Sequence, residues 1–79
     1  MNKKLFVGNI NFDVKDIELE EPFKTVGEVI YAEIVRFFDK KSKGFGFIEM
    51  NSVAEANMAI KKLNGSDFKG RKIVVSEVR

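Results

Sequence analysis

Seventy-nine residues with a net charge of +2, 44% of them hydrophobic and 33% charged, describe one soluble domain spanning residues 1–79. No cysteine or histidine occurs, which excludes disulfides, thiolate or imidazole metal sites and the usual Ser-His or Cys-His nucleophilic pairs. The apolar run Leu5–Val7 is too short for an export segment or a membrane span; an intracellular, cytoplasmic setting is expected, with organelle or nucleus left open.

Leu5-Phe6-Val7, ended by Gly8-Asn9, reads as a first strand. Leu19, Phe23 and Val26 then recur at helical spacing, with Asp13 or Asp16 as cap and Gly27 as terminator. Pro22 removes an internal hydrogen bond there, so a short, kinked or late-starting helix is expected. Val29 to Val35 is a second strand, and Phe37 to Ser42 a basic hairpin loop. Two adjacent phenylalanines cannot both reach the core from a strand end, so at least one of Phe37 and Phe38 is exposed, either clamping a ligand or shielding the sheet edge. Phe45 to Met50 forms a third strand. Ser52 with Glu55 predicts a capping box, Ala56, Ala59, Ile60 and Leu63 a second helix, and Asn64-Gly65 its left-handed stop. Lys72 to Val78, after a turn at Gly70, completes β-α-β-β-α-β, an α+β ferredoxin-like sandwich with a four-stranded antiparallel sheet and two helices on one face.

Alternation assigns the faces. Leu5, Val7, Ile48, Met50, Ile73 and Val75 meet the helices, and Phe6, Phe45 and Phe47 share the uncovered side. Tyr31, Glu33 and Val35 join them if Ala32 and Ile34 point inward; so do Lys72, Val74 and Ser76 if Ile73 and Val75 do. Charge is segregated: from Asp13 to Glu33 seven acids stand against two lysines, whereas Arg36 to Lys43 and Lys61 to Lys72 are basic. Exposed rings ringed by cations suit base stacking with phosphate contact. A protein-interaction or homodimerisation module using the same face is the alternative.

Lys43-Gly44-Phe45-Gly46-Phe47-Ile48-Glu49-Met50 resembles the octamer signature of the RNA-recognition-motif family, and Leu5-Phe6-Val7-Gly8-Asn9-Ile10 its hexamer. The resemblance continues through Gly27, Ala59-Ile60, Leu63-Asn64-Gly65, Phe68, Gly70-Arg71 and Val75, essentially the whole chain. It implies that Phe6 and Phe45 stack on bases, that Phe47 packs on sugars, and that Lys43 meets phosphate, while Gly44 and Gly46 keep the sheet clear. Ser76, Glu77 and Arg79 are implicated after the fourth strand. Tyr31, Arg36, Lys40, Lys41 and Lys72 complete the candidate surface. Met50 stands where the octamer usually ends in an aromatic residue; by alternation it faces the core.

No phosphate loop or dinucleotide pattern is present, and Glu18, Glu20 and Glu21 read as ordinary acids of a helix's first turns. The expected partner is single-stranded RNA, or single-stranded DNA, bound by a monomer with no cofactor, metal, membrane or catalytic activity; the preference for RNA is what the resemblance implies.

Overall fold

The alternating runs fold as strands and the helically spaced stretches as helices in a computed structural model, which describes residues 2–78. In chain order these are β1 (Lys4–Gly8), α1 (Asp16–Lys24), β2 (Val29–Arg36), β3 (Ser42–Met50), α2 (Val53–Leu63), β4 (Asp67–Phe68), β5 (Arg71–Lys72) and β6 (Val74–Glu77). The main sheet has the order β2-β3-β1-β6, antiparallel throughout. Leu5, Val7, Ile34, Ile48, Met50 and Val75 from the strands bury against Leu19 and Phe23 of α1 and Ala56 and Ala59 of α2. The aliphatic inward face is therefore the one alternation predicts. No helix among the described residues is long and apolar enough to cross a membrane.

Three local features differ from the expectation. Neither Asp13 nor Asp16 caps α1. Lys15 occupies the cap position, and the Glu18 carboxylate accepts its N–H at 2.9 Å. Asp16 is the first helical residue, and its carboxylate accepts the Ile34 N–H at 2.9 Å, tying the helix to β2. The helix is short, as Pro22 implies, and ends at Lys24.

The segment Lys72 to Val78 is not one strand. Arg71 and Lys72 pair with Phe68 and Asp67 in a separate ribbon. Lys69 and Gly70 turn it with φ of 50° and 86°, both left-handed, as a tight hairpin requires. Ile73 then donates to Ser66 O and accepts from Gly65 N, so pairing with β1 starts only at Val74.

The capping box of α2 is half as expected. Ser52 Oγ accepts the Glu55 N–H at 3.1 Å, but the Glu55 carboxylate accepts from the Ser52 hydroxyl and the Glu28 N–H, both at 2.9 Å. Gly27 makes room for this: a Cβ there would lie 2.6 Å from Glu55 Cγ. The Glu28 N–H first, and the Ser52 hydroxyl second, hold the Glu55 carboxyl below its ordinary value of 4.5. A carboxyl depressed by folding stabilises fully above its unfolded value, and that contribution is lost as pH falls through the folded one. Part of the acid limb of a pH titration of stability, below pH 4.5, is thus expected to disappear in Glu55→Gln; a limb identical to the parent's would show that the carboxylate contributes nothing.

Candidate nucleic-acid interface

Phe6 lies on β1 opposite Phe47 on β3 and Ser76 on β6, so the uncovered side of the central strands carries one cluster of rings. Phe6 and Phe45 are tilted with centroids 5.6 Å apart, Phe6 and Phe47 meet edge-on at 6.1 Å, and Phe45 and Phe47 at 6.2 Å and 89°. Each ring is half-buried by the others, which fixes its orientation and leaves a face to solvent. Phe6 lies back over Gly8, where a Cβ would stand 2.8 Å from its Cε2. Beside it, Phe6, Phe47, Ser76, Glu77 and Val78 line an open recess of about 860 Å³.

The octamer glycines are placed otherwise than expected. Gly46 is buried, and a Cβ there would strike Glu33 O and come within 3.1 Å of Ile34 Cα. Its bare backbone admits the neighbouring strand rather than a nucleotide. Gly44 has φ +84° and underlies the Phe12 ring. Register breaks there: Ile34 faces Gly46 and Arg36 faces Ser42, leaving three residues of β3 against one of β2. Lys43 emerges at this irregularity, exposed, with Nζ 5.1 Å from the centre of the Phe37 ring.

A second irregularity sets Tyr31. Val29 pairs with Met50 and Tyr31 with Glu49, so Ile30 is an extra residue and the two flanking side chains fall on opposite faces. Tyr31 reaches the open side, where Lys4 Nζ lies 5.6 Å from its ring centre. A hydrogen bond with the Tyr31 phenol is the main cause that raises the Lys4 pKa. Lys4 belongs to the face although sequence reasoning passed over it, and Glu33, which alternation did place there, stands opposite Phe47.

The basic hairpin is tightly made. Phe37 N–H donates to Lys41 O and Lys40 N–H to Phe37 O, with Lys40 at φ 73°. Arg36 Nη1 donates to Lys40 O at 3.2 Å, and its Nη2 lies 3.8 Å from Asp16 Oδ1. Phe37, Phe38, Lys40 and Lys41 are all exposed, so the expectation of at least one exposed phenylalanine is exceeded. Lys72 sits in the separate ribbon, with Nζ 3.8 Å from Asp67 Oδ1; the main sheet does not carry it. Val74 and Ser76 belong to β6, and Arg79 lies outside the described residues. The largest omission from the sequence reading is Phe12, 62% exposed in the loop after β1; its signal was an aromatic residue between Asn11 and Asp13 that no helical or strand period claimed. No cluster of potential metal ligands occurs among the described residues.

A covered antiparallel sheet with interlocked phenylalanines on its bare side defines the class of α+β domains that present an aromatic platform. The chain belongs to the RNA recognition motif family, whose pattern matches residues 5–74. It is 44% identical over 75 residues to the 29 kDa chloroplastic ribonucleoprotein of Arabidopsis thaliana, covering 94% of this chain and 22% of that protein. It is 43% identical over 74 residues to RNA binding protein fox-1 homolog 1-like of Danio rerio, covering 94% and 19%. Among solved structures, RNA Binding Protein PG1 matches with a TM-score of 0.92 at 34% identity, covering 96% of this chain and 93% of that one. The Sxl-lethal protein/RNA complex matches at 0.95 and 30%, covering 100% and 48%. The chain thus spans about a fifth of the length of these two curated relatives.

Proposed function

We infer that this chain binds single-stranded RNA on the open sheet face, acting by recognition and not by catalysis. The observation that carries the reading is the Phe6–Phe45–Phe47 cluster on the two central strands. Three rings held at fixed angles with one side bare are poor surface for a solitary soluble domain and suitable surface for unstacked bases, each worth about 1–3 kcal/mol. In this reading Phe6 and Phe45 stack on bases and Phe47 packs on the sugar between them, with roughly two to four nucleotides on the sheet. Tyr31 closes one margin of the platform. Lys43, Arg36, Lys40 and Lys41 lie along the hairpin side as phosphate contacts, and Lys72 on its ribbon contributes by steering. Ser76 borders the recess beside Phe6, where main-chain and hydroxyl groups can meet a 2′-hydroxyl, and Arg79, outside the described residues, is a further proposed contact. RNA-binding names among the relatives and a solved complex with RNA support the same reading. A monomer suffices for it, and the cationic margin argues against an apolar protein partner on the same face.

Titration with random single-stranded RNA across a salt series tests this. Three or so phosphate contacts give a slope of log K on log salt near −2, at about −0.7 per contact. Chemical-shift changes concentrated on the sheet face and the adjoining β2–β3 hairpin are expected, with weaker binding by single-stranded DNA. Salt-independent affinity, or shifts at Phe6 and Phe45 that follow protein concentration without RNA, would point to the protein-interaction alternative.

A further inference from the structure

Beside the rings of the open face stands a side chain that a polyanion should disfavour. Glu33 lies opposite Phe47 across the β2–β3 ladder, and Tyr31 precedes it by two on the same face. It is exposed and borders two open recesses at the β2 margin, one of about 390 Å³ shared with Tyr31 and one of about 520 Å³ shared with Phe47 and Arg36. The neighbouring carboxylates are occupied. Asp16 accepts the Ile34 N–H at 2.9 Å and lies 3.8 Å from Arg36 Nη2. Glu49 stands across the ladder from Lys4, whose charge acts on it more strongly than on Glu33. Arg36, which shares the larger recess, is held by Asp16 and the Lys40 carbonyl. Glu33 itself has no ion pair and no side-chain hydrogen bond among the described residues.

A carboxylate facing a bound nucleic acid repels phosphate and loses hydration on contact, unless its oxygens find donors there. Phosphate offers none, and the donors lie mainly on the base edges. On its Watson–Crick edge guanine presents two adjacent donors, the N1–H and the N2 amino group. Adenine and cytosine present one amino donor beside a ring nitrogen whose lone pair would face the second oxygen. Uracil presents a single N3–H flanked by two carbonyl oxygens. The paired oxygens of a carboxylate therefore match guanine in two charge-assisted bonds and repel the uracil carbonyls. An unstacked base on an open sheet leaves that edge free to be read.

Resting on the RNA-binding reading above, we propose that Glu33 is a specificity-determining residue of the sheet face and selects guanine over uracil, its two carboxylate oxygens accepting from the N1–H and the N2 amino group. The rings tolerate every base. They and the lysines supply affinity, and the acid at the β2 margin sets base identity. Selection then works in both directions, by attracting one edge and rejecting the other.

The test sets base identity against the side chain. Parent and Glu33→Gln proteins are titrated with random-sequence single-stranded RNA about eight nucleotides long, more than the sheet holds. The RNA is made with all four bases, with inosine in place of guanine, and with uracil in place of guanine; inosine keeps the N1–H and lacks the amino group. The parent is expected to bind the guanine pool approximately five- to hundred-fold more tightly than the uracil-substituted one, the discrimination of one bidentate base contact, with the inosine pool between them. Glu33→Gln keeps the shape, removes the charge and adds a donor that suits uracil, so its three affinities are expected to converge. Thermal melts matching the parent's verify that this exposed substitution leaves the protein folded. A parent that binds all three pools alike would overturn the assignment while leaving the sheet site standing. So would equal tightening of all three pools by Glu33→Gln, the result of plain repulsion of the backbone, or a guanine preference that survives the substitution unchanged. If the parent binds none of the pools, the broader RNA-binding reading falls, and this role with it.

Discussion

Phe45→Ala is expected to leave a folded protein that has lost about 1–3 kcal/mol of RNA affinity, the contribution of one stacked base. Ile48→Ala, three residues along the same strand, is expected to do the reverse. Ile48 is fully buried against the helices, and emptying such a position costs about 2–5 kcal/mol. A domain of this size has about 5–15 kcal/mol in total, so the melting temperature should drop by about 10 °C or more, at roughly 4–8 °C per kcal/mol. Phe45 is not energetically idle in the fold, since it touches Phe6 and Phe47. Those ring contacts are worth about 0.5–1.5 kcal/mol each, which sets a modest stability loss below that of Ile48→Ala. The two variants should separate in paired thermal melts and oligonucleotide titrations. A Phe45→Ala protein that melts far earlier than Ile48→Ala would mean that the faces of β3 have been assigned backwards.

The second large effect is expected at Gly46. Any side chain there meets the backbone of β2, at Glu33 O and Ile34 Cα, and neither can rotate aside as a side-chain tip would. Gly46→Ala must push two paired strands apart at a buried position flanked by Phe45 and Phe47, and forcing extra atoms into packed structure costs about 1–3 kcal/mol. Because both neighbours carry the platform, RNA affinity should fall along with stability. Gly8→Ala is the useful contrast. A Cβ at Gly8 meets only the Phe6 ring edge, so binding should suffer more than the melting temperature. Gly46→Ala melting together with the parent would show that the strand spacing is not set by that glycine.

Alternation and helical spacing made the layer order and both faces of the sheet legible, because the side-chain period on a buried sheet leaves no freedom of register. Phe6, Phe45 and Phe47 followed directly. Two of the local errors share a physical cause: a partner distant in sequence took a group that local rules had assigned nearby. Asp16 caps nothing because the Ile34 N–H, eighteen positions away, takes its carboxylate. Glu55 takes the Glu28 N–H in place of the Ser52 N–H, while keeping the Ser52 hydroxyl. The ribbon before β6 was hidden because Lys69 stands where such a turn usually carries Asn or Asp, and the strand was read straight through it. Tyr31 faces the open side as alternation placed it, but the extra residue Ile30, which turns Val29 to the other face, is specified by no periodic pattern. Phe12 was missed because it belongs to a loop, where periodicity is silent and only its three-dimensional neighbours reveal it.

The aromatics of the open face stand on β1 and β3, the two strands flanked on both sides in the order β2-β3-β1-β6. Phe45 falls at the irregularity between Gly46 and Ser42, while Phe6 and Phe47 are mounted on backbone laddered to a strand on either side, over the fully buried Leu5, Val7 and Ile48. Such backbone belongs to the part of a protein that opens only when the whole molecule does. On the RNA-binding reading, the platform is consequently expected to need no ordering by its ligand: the nucleic acid brings the flexible partner, and the entropic cost of the encounter falls almost wholly on it. Amide hydrogens at Phe6 and Phe47 become clocks for global unfolding, and whatever destabilises the core shortens the time for which the platform exists at all.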